Sequence, residues 1–546
     1  MEADCESIMK NQLDEMEDVR MDGSKRLLPI GIQDFEKLRT AGNLYVDKTE
    51  YIYRLVETRT PYFLSRPRRF GKSLLLSTMK AYWEGKKELF QGLRIEELKK
   101  DEIWEAYPVF YFDFNKANYT KDQALEKVLD GHLRNWESIY GDAYQTLTLE
   151  ERFGHLLMMA KEQTGKCCVV LVDEYDKPLL ETMNVEDSVS RVEANKAVFK
   201  GFFSTLKSYD AYLQFVFITG VTKFSKVSIF SDLNQLRDIS MTAEYADICG
   251  ITDEEMQSTF SPEISAFSNA LGIPMDEGIT RLRKTYDGYR FHQKSRGIYN
   301  PYSLLNALED REMNYYWFET GTPTFLIYKL MESGIDVRKL ADHTLYATKR
   351  TLMDYRSDNP DPIPLLYQTG YLTIADYDSG KDVYTLGFPN EEVKYGLLES
   401  MMPEYFSNYN AGRGTDILTL DRFLEKGDAG QVKNILEALF AGIPYTAKGD
   451  PFEYNFQAVI YIVFTLLGKY VSCEMHSFSG RVDCIVETGN YVYLFEFKRD
   501  KSAEDAIRQI EDMQYDKPFA ADSRKLYKIG VSFSSETRMP VEWIIK

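Results

Sequence analysis

The chain has 546 residues, enough for two to three domains, and an apolar fraction of 44% that is ample for packed cores. Its formal net charge of −19 excludes a general nucleic-acid-binding surface, because attraction to phosphates needs clustered Lys and Arg, so any nucleic-acid contact must be local. The six cysteines form no C-x-x-C pair and no apolar run reaches the roughly 20 residues of a membrane span, so we expect a reduced cytoplasmic chain without zinc, disulfides or a membrane anchor.

The sequence predicts two different segments in the N-terminal half of the chain, residues 1–26 and residues 27–245. Residues 1–26 are charged and lack hydrophobic periodicity, which predicts an acidic flexible tail without the features of a signal peptide. From residue 27 to 245, apolar runs alternate with helical patterns. The runs are YFLS, PVFYFDF, CCVVLVDEYD and LQFVFITG. This alternation predicts an α/β domain with a parallel sheet and helices on both of its faces.

A phosphate-binding loop is predicted directly after the first of these runs. The stretch RPRRFGKSLLL ends a GxxxxGK[ST] pattern, with Arg66 standing where the first Gly is expected. Backbone N–H groups at a helix N-terminus cradle polyphosphate, the lysine adds charge near the β- and γ-phosphates, and the serine hydroxyl binds Mg²⁺. The predicted nucleotide-binding residues of the loop are Arg69, Phe70, Gly71, Lys72 and Ser73.

Polar side chains end the next two apolar runs. Asp173, at the carboxyl end of a run that is apolar on both faces, would hold magnesium, and Glu174 beside it would polarise the attacking water. Thr219, at the end of LQFVFIT, is a candidate for sensing the γ-phosphate of ATP. Taken alone, the acids could equally form a solvated turn after an ordinary core strand. Thr219 alone could equally cap the end of an ordinary strand. Together with the GKS loop they favour ATP binding.

The region 246–395 has a different character. Helical patterns are broken by turn signals, and Thr252 followed by Glu255 indicates a capping box at a helix start. We predict a mostly helical lid, with a winged-helix-like strand element near YLTIADYDSGKDVYTLGF.

A second constellation follows in residues 396–546. RVDCIV and YVYLFEFK read as two antiparallel strands joined at ETGN. If the turn centres on Thr488–Gly489, Asp483 pairs with Leu494, and this pairing places Asp483, Glu496 and Lys498 on one face. The inference depends on the register, because a slip by one residue would separate the side chains.

Two carboxylates that converge with a lysine form a site for Mg²⁺ that would act on a phosphodiester. A hairpin with ordinary surface charges is the alternative. Glu453 opens an upstream apolar helix and could add a third carboxylate to the metal site. Gln509, on the helix AEDAIRQIEDMQ, could contact the same site as an accessory residue.

These segments resemble the AAA-ATPase-like family of bacterial proteins, which pair an N-terminal P-loop domain with a C-terminal PD-(D/E)XK nuclease-like domain. The similar segments are LPIGIQDFEKLR, YVDKTEYI, FLSRPRRFGKSLL, VVLVDEYDKPL, FITGVTKFSKVSIFSDLNQLRDI, TYDGYRF, YNPYSLLNAL, YWFETGTPTFL and SGRVDCIVETGNYVYLFEFK. The resemblance implies a P-loop ATPase domain over 27–245, a restriction-endonuclease-like α/β domain over 396–546, and ATP and Mg²⁺ as cofactors.

Two functions from different classes are compatible with these features. The first is an ATP-hydrolysing enzyme coupled to a Mg²⁺-dependent nuclease that acts on DNA or RNA. The second is an ATP-driven switch or protein-remodelling factor whose nuclease-like domain is a binding platform. The apparently complete set of Asp483, Glu496 and Lys498 favours the first function. The negative net charge of the chain favours the second. An oligomer is possible, but the sequence identifies no arginine finger.

Overall fold

The computed structural model describes residues 26–58, 60–142, 147–183, 187–224, 235–319, 326–327, 329–330, 333, 335, 339–340, 344–353, 355, 361–405, 414–441, 461–468, 472–475, 482–536 and 540–546. The chain divides into two compact units. The first comprises Met1–Gly321 and Tyr346–Glu392, and the second comprises Thr322–Leu345 and Val393–Lys546.

The sheet of the first unit is built from five strands. They are β1 (Tyr62–Ser65), β2 (Val109–Asp113), β3 (Cys168–Asp173), β4 (Leu213–Gly220) and β5 (Arg237–Asp238). The strand order is β2-β3-β4-β1-β5, and all four neighbouring pairs are parallel. Every residue of β1 and β3 is buried, as expected for strands that are covered on both faces. The predicted parallel α/β sheet is therefore confirmed.

Helices cover this sheet and continue into the middle region. Those up to β5 are α1 (Phe35–Thr40), α2 (Thr49–Val56), α3 (Lys72–Trp83), α4 (Arg94–Leu98), α5 (Ala124–Tyr140), α6 (Leu149–Thr164), α7 (Lys177–Thr182) and α8 (Ser188–Ser208). Those that follow are α9 (Asp253–Thr259), α10 (Ser261–Ala270), α11 (Met275–Tyr286), α12 (Pro301–Asp310), α13 (Tyr316–Glu319), α14 (Lys349–Met353) and α15 (Ile363–Thr369). The mostly helical character predicted for the middle region is confirmed.

Aromatic side chains form the interface between the sheet and its helices. The ring of Phe112 on β2 lies 4.8 Å from Trp136, 5.2 Å from Phe153 and 5.4 Å from Phe202, centroid to centroid. Edge-to-face pairs of this kind add to the stabilisation that comes from buried area. The high aromatic content thus fixes α5, α6 and α8 on one face of the sheet.

Two details predicted for the middle region are present. The capping box at α9 forms, because the Glu255 N–H donates to the Thr252 hydroxyl at 3.2 Å and the Thr252 N–H donates to the Glu255 carboxylate at 2.8 Å. The strand element near residues 371–388 is an antiparallel hairpin of β7 (Thr373–Asp378) and β8 (Val383–Gly387). A short strand, β6 (Leu345–Ala347), precedes them in the chain.

The second unit contains a mixed sheet with the order β13-β12-β11-β10-β9. Its strands are β9 (Ser472–Met475), β10 (Cys484–Glu487), β11 (Tyr491–Arg499), β12 (Lys525–Phe533) and β13 (Pro540–Ile545). Its helices are α16 (Glu391–Tyr405), α17 (Gly414–Lys426), α18 (Ala429–Ala441) and α19 (Ala503–Asp512), with a further helical stretch over 461–467. The pair β11–β12 is parallel, whereas the other three neighbouring pairs are antiparallel.

Helix α19 packs directly on the sheet of the second unit. Ile507 and Ile510 form a core cluster with Val492 and Leu494 of β11. A Cβ atom at Gly530 on β12 would lie 2.5 Å from the carbonyl oxygen of Ala503, so the close approach of helix and strand requires glycine there. Helix α19 is thereby held above one face of β11.

Within the described parts of the chain, we find no helix that combines the length and the apolar character needed to cross a membrane.

Candidate functional site

The phosphate-binding loop connects β1 to α3. It turns through two residues with left-handed backbone, Arg69 with φ 68° and Gly71 with φ 90°, and Gly71 precedes the first residue of the helix. The Lys72 ammonium is buried and donates to the carbonyl oxygens of Arg66 and Pro67, both at 3.0 Å. The lysine therefore folds back across the loop onto neutral acceptors, and it has no carboxylate partner among these contacts.

Arg66 has a structural position that the sequence pattern did not indicate. Its guanidinium is buried and donates to the carbonyl oxygens of Ser65 at 2.9 Å and Ser240 at 2.8 Å. It also donates to two further carbonyl oxygens, those of Tyr245 and Ala246, at 2.9 and 3.2 Å. The side chain thus anchors the start of the loop to residues 240–246 and does not extend toward a phosphate.

Phe70 and Arg69 fix the other end of the loop. The ring of Phe70 is buried against Tyr289 at 4.8 Å and Phe291 at 5.6 Å. The Arg69 guanidinium lies 4.8 Å above the ring of Tyr302. Phe70 can therefore contribute to a ligand through its backbone, while its ring joins the loop to the middle region.

Asp173 is the centre of a buried hydrogen-bonded cluster at the foot of the loop. Its carboxylate accepts from the Thr219 hydroxyl at 2.8 Å and from the Tyr111 hydroxyl at 3.3 Å. The Ser73 hydroxyl forms a further hydrogen bond to it. Strands β3 and β4 are neighbours, so the register of the sheet brings Asp173 and Thr219 together.

Burial raises the pKa of Asp173, whereas the hydrogen bonds from Ser73 and Thr219 lower it. A bound cation would compensate the cost of burying this charge. Because the Ser73 hydroxyl is close enough to lower the pKa of Asp173, the two side chains offer neighbouring oxygen ligands, and their chemistry fits Mg²⁺, which prefers oxygen. The residues present at the loop therefore fit the metal that a P-loop site implies.

Glu174 lines the cavity beside this cluster. Its backbone is left-handed, with φ 50°, and this turn carries the chain out of the strand direction immediately after Asp173. Lys177, three residues later, also lines the cavity and donates to the carbonyl oxygen of Asn115 at 3.0 Å. The Glu174 carboxylate therefore lies beside the cavity and is only partly buried.

The cavity has a volume of about 600 Å³ and borders the loop. The polar part of its lining includes the loop, Glu174 and Lys177. The apolar part of its lining includes Ile30, Ile32, Ile248, Ile251, Tyr302 and Leu305. A volume of this size is typical of small-molecule sites, and a lining of both kinds suits a ligand with a polyphosphate and a planar base.

The second candidate site lies on the hairpin of β10 and β11, and its register differs from the predicted one. Cys484 pairs with Phe495 and Ile485 with Leu494, so the predicted pairing of Asp483 with Leu494 is wrong by two positions. The turn is closed by the Thr488 N–H donating to the Tyr491 carbonyl oxygen at 2.9 Å, which centres it one residue later than predicted. A shift by two positions preserves the facing of side chains, because the side-chain period of a strand is two.

The acidic residues and the lysine of this hairpin are brought together. The Lys498 ammonium donates to Glu496 Oε1 at 2.7 Å and to Gln509 Oε1 at 2.5 Å. Asp483 accepts from the Phe497 N–H at 2.8 Å, and its own N–H donates to Glu496 Oε2 at 3.3 Å. Four of the five side chains that the sequence placed here therefore meet in one cluster, and they come from three separate segments.

Burial raises the pKa of the Glu496 carboxyl, and the charge of Asp483 raises it further, whereas Lys498 lowers it. Two neighbouring carboxylates of which one is buried are a donor set that fits a hard divalent cation. Within the described residues, no group of three or more His, Cys, Asp and Glu side chains is arranged to hold a metal. Glu453, the third predicted carboxylate, lies outside the described residues.

Comparisons with known proteins match a family model to each of two regions of the chain. Residues 29–230 match the family model described as a predicted AAA-ATPase, and residues 451–543 match that of the PD-(D/E)XK nuclease superfamily. The chain is 34% identical over 543 residues to a protein of Azotobacter chroococcum mcd 1 that is described as an uncharacterized protein in the vnfD 5′ region. This alignment covers 96% of the chain and 99% of the relative.

The chain belongs to the AAA-ATPase-like family. It carries the family's P-loop domain together with a C-terminal domain of the PD-(D/E)XK nuclease superfamily. The loop around Lys72 and the acidic end of β3 lie in the first matched region, and the cluster around Glu496 lies in the second.

Several residues of the AAA-ATPase-like domain were missed by reasoning from the sequence. Asp176 is buried and accepts from the N–H groups of Val221 and Thr222 and from the Thr222 hydroxyl, so it joins the ends of β3 and β4. The third acid in the string DEYD was the available signal. The apolar part of the cavity lining was also missed, because its residues come from three distant parts of the sequence.

Proposed function

We propose that this AAA-ATPase-like protein binds and hydrolyses ATP in the cavity beside the loop 66–73, and that its C-terminal domain cleaves phosphodiester bonds of nucleic acid. The observation that carries the first half is the buried Asp173, which hydrogen-bonds with Ser73 of the loop and Thr219 of the neighbouring strand. We assign the ATPase domain to residues 27–245, the helical lid to 246–395 and the nuclease domain to 396–546.

The loop residues would bind the triphosphate. Backbone N–H groups at the start of α3 point toward an anion that enters the cavity, and the helix dipole favours negative charge there. The Lys72 ammonium, now on the carbonyl oxygens of Arg66 and Pro67, would exchange these neutral acceptors for phosphate oxygens. Charge-assisted hydrogen bonds are the stronger ones, so this exchange favours the bound state.

Hydrolysis requires a base near the terminal phosphate. Glu174 lines the cavity next to the loop and would accept the proton of the attacking water as its oxygen bonds to the γ-phosphorus. The bond from that phosphorus to the bridging oxygen then breaks, and ADP leaves. Magnesium held by Ser73 and Asp173 would neutralise charge on the phosphates.

The apolar part of the cavity lining favours a nucleotide over a simple polyphosphate. Ile30 and Ile32 precede the sheet, whereas Ile248 and Ile251 follow it, and all four line the cavity. Such side chains suit the faces of a purine base. ATP carries both a polyphosphate and a base of this kind.

The C-terminal cluster supports the nuclease half of the proposal. Asp483 and Glu496 would hold a divalent cation, which polarises a phosphodiester and lowers the pKa of water. Lys498, between Glu496 and Gln509, would orient the attacking water or stabilise the developing negative charge. The net charge of −19 implies that nucleic acid contacts the chain locally, near this cluster.

The test is an assay of the full chain with labelled DNA and RNA, single- and double-stranded, in Mg²⁺ or Mn²⁺, with and without ATP. We expect ATP turnover that is lost in Lys72→Ala and cleavage that is lost in Asp483→Asn. The exposed Asp512→Asn, on the same unit, is the matched control for the loss of a carboxylate. Cleavage that persists in Asp483→Asn would sink the nuclease half.

The alternative function is an ATP-driven switch or protein-remodelling factor whose nuclease-like domain binds a partner. The pairing of Lys498 with Glu496 favours it, because an internally neutralised cluster also serves as a structural element. ATP turnover without cleavage of any of the four substrates would select this alternative.

A further inference from the structure

The cavity beside the loop is lined by five cationic side chains and two carboxylates. The cations are Lys48, Arg68, Arg69, Lys72 and Lys177, and the carboxylates are Glu174 and Glu181. An excess of positive charge is what a polyphosphate ligand requires. The cations differ, however, in what their charged groups contact.

Four of the five have partners within the protein. Lys48 donates to the Glu255 carboxylate at 2.6 Å, and Lys177 lies 3.7 Å from the Glu181 carboxylate. As described above, Lys72 is held by loop carbonyls and Arg69 lies on the ring of Tyr302. These contacts fix where the four charges are in the absence of ligand.

Arg68 is different. Its side chain is exposed at the cavity, and it makes no hydrogen bond, ion pair or ring contact with any residue that the structure describes. An arginine that is uncommitted inside a ligand cavity has its full set of donors available to the ligand.

The backbone around Arg68 is held in place although its side chain is not. The carbonyl oxygen of Pro67, in the peptide bond that leads into Arg68, accepts from Lys72 at 3.0 Å. Pro67 is buried, and a Cβ at Gly370 would lie 2.8 Å from its Cβ. The following residue, Arg69, has left-handed backbone with φ 68°. Arg68 therefore projects from a fixed point beside the ammonium that binds the phosphates.

We propose that Arg68 is a catalytic residue that contacts the γ-phosphoryl oxygens of bound ATP from within the same chain. The inference rests on the proposed ATP hydrolysis. A guanidinium donates two parallel hydrogen bonds to a phosphoryl group, and it stabilises the charge that develops on the equatorial oxygens in the transition state. Arg68 thus supplies from the loop itself the arginine that other phosphoryl-transfer enzymes take from a partner.

The experiment compares the full chain with Arg68→Ala and Arg68→Lys. It measures kcat and KM for ATP hydrolysis, and the affinities for ADP and for a non-hydrolysable ATP analogue. Arg281→Ala removes an exposed arginine outside the cavity and is the matched control. Circular dichroism and thermal unfolding establish that each variant is folded.

We expect Arg68→Ala to lower kcat by about 100-fold or more, within the range that arginine contacts contribute to phosphoryl transfer. The affinity for ADP should change by less than about 2-fold, whereas that for the ATP analogue falls, because only the analogue carries a γ-phosphate. Arg68→Lys should show a smaller loss than Arg68→Ala, because lysine keeps the positive charge but lacks the two parallel N–H donors of the guanidinium. The wild-type kcat should be independent of protein concentration.

Wild-type turnover that Arg68→Ala leaves within about 2-fold overturns the inference and leaves the proposed ATPase standing. An equal loss of ADP and ATP-analogue affinity also overturns it, because a contact to the γ-phosphate affects only one of the two. Absence of turnover in the wild type with intact nucleotide affinity contradicts the proposed ATPase itself, so the two failures are distinguishable.

Discussion

The buried carboxylates of the two candidate sites, Asp173 and Glu496, have different kinds of partners. Asp173 is surrounded by hydroxyl groups of Ser73, Thr219 and Tyr111, and the nearby Lys72 is held by carbonyl oxygens. Glu496 instead forms an ion pair with Lys498 at 2.7 Å. At the first site Lys72 rests on neutral carbonyl oxygens, whereas the charge of the second site is neutralised by its own lysine. We therefore expect substitutions at the first to affect function more than stability, and substitutions at the second to affect both.

The largest effect should come from Lys72→Ala. Because the hydrogen bonds of the ammonium to described residues go to loop carbonyls, its loss removes no ion pair found there, but it removes the charge that would meet the phosphates. We expect ATP hydrolysis to fall by about 1000-fold, and the thermal midpoint to change by less than about 2 °C. Steady-state kinetics and calorimetry on one preparation measure both. A loss of several degrees would show that the lysine is a structural residue and would remove the contrast.

At the second site, Lys498→Met should reduce both cleavage and stability. The substitution leaves the buried Glu496 without its cation, which costs about 1–3 kcal/mol in the free energy of unfolding. The double variant Glu496→Gln with Lys498→Met removes both charges, so it should regain stability but not cleavage. Thermal unfolding of the single and double variants, together with the nuclease assay, separates the two roles. No recovery in the double variant would contradict this assignment of the stability loss.

Thr219→Val tests how much a hydroxyl donor to Asp173 contributes to ATP turnover and to stability. The substitution conserves shape but removes the donor to Asp173, and the pKa of this carboxyl should rise further as a result. We expect about a 10-fold loss in ATP turnover and a loss of about 1 kcal/mol in stability. The matched comparison is Thr222→Val, which removes a hydroxyl donor from Asp176 instead of Asp173. Equal effects of the two on turnover would mean that Thr219 has only a structural role.

The smallest effect concerns a half-buried carboxylate, that of Asp287, which belongs to neither site. Burial raises the pKa of Asp287 to about 6. Because the folded state binds this proton more tightly than the unfolded state, stability decreases as the pH rises from about 4 through about 6. Asp287→Asn should therefore be more stable than the wild type by about 1–2 kcal/mol at pH 7.5, with no gain at pH 4.5. Unfolding in urea at the two pH values measures this, and an equal gain at both would contradict the assignment.

The elements of the fold were predictable because their signals are local. Continuous apolar runs predict β1 to β4, and the pair Thr252 and Glu255 predicts the start of α9, which the structure confirms. The facing of Asp483 and Glu496 was also predictable, although the register was not. The prediction centred the turn one residue too early, and only the even shift that resulted preserved the shared face.

Other features depend on contacts between distant residues and were not predictable. Arg66 reaches Ser240 and Tyr245, more than 170 positions away, and no local pattern indicates this. The apolar part of the cavity lining likewise combines residues from the segments 30–32, 248–251 and 301–305. Each segment alone reads as an ordinary turn or helix start, so only the folded chain brings them together.

Arg66 has a consequence for how this loop can change over generations. Replacing it with the glycine of the general loop pattern would leave four buried carbonyl oxygens without their donor and empty the space under Phe291. A change to glycine would therefore need compensating changes at residues 240–246 in the same step. Position 66 is constrained by its contacts within the protein and not by contact with a ligand.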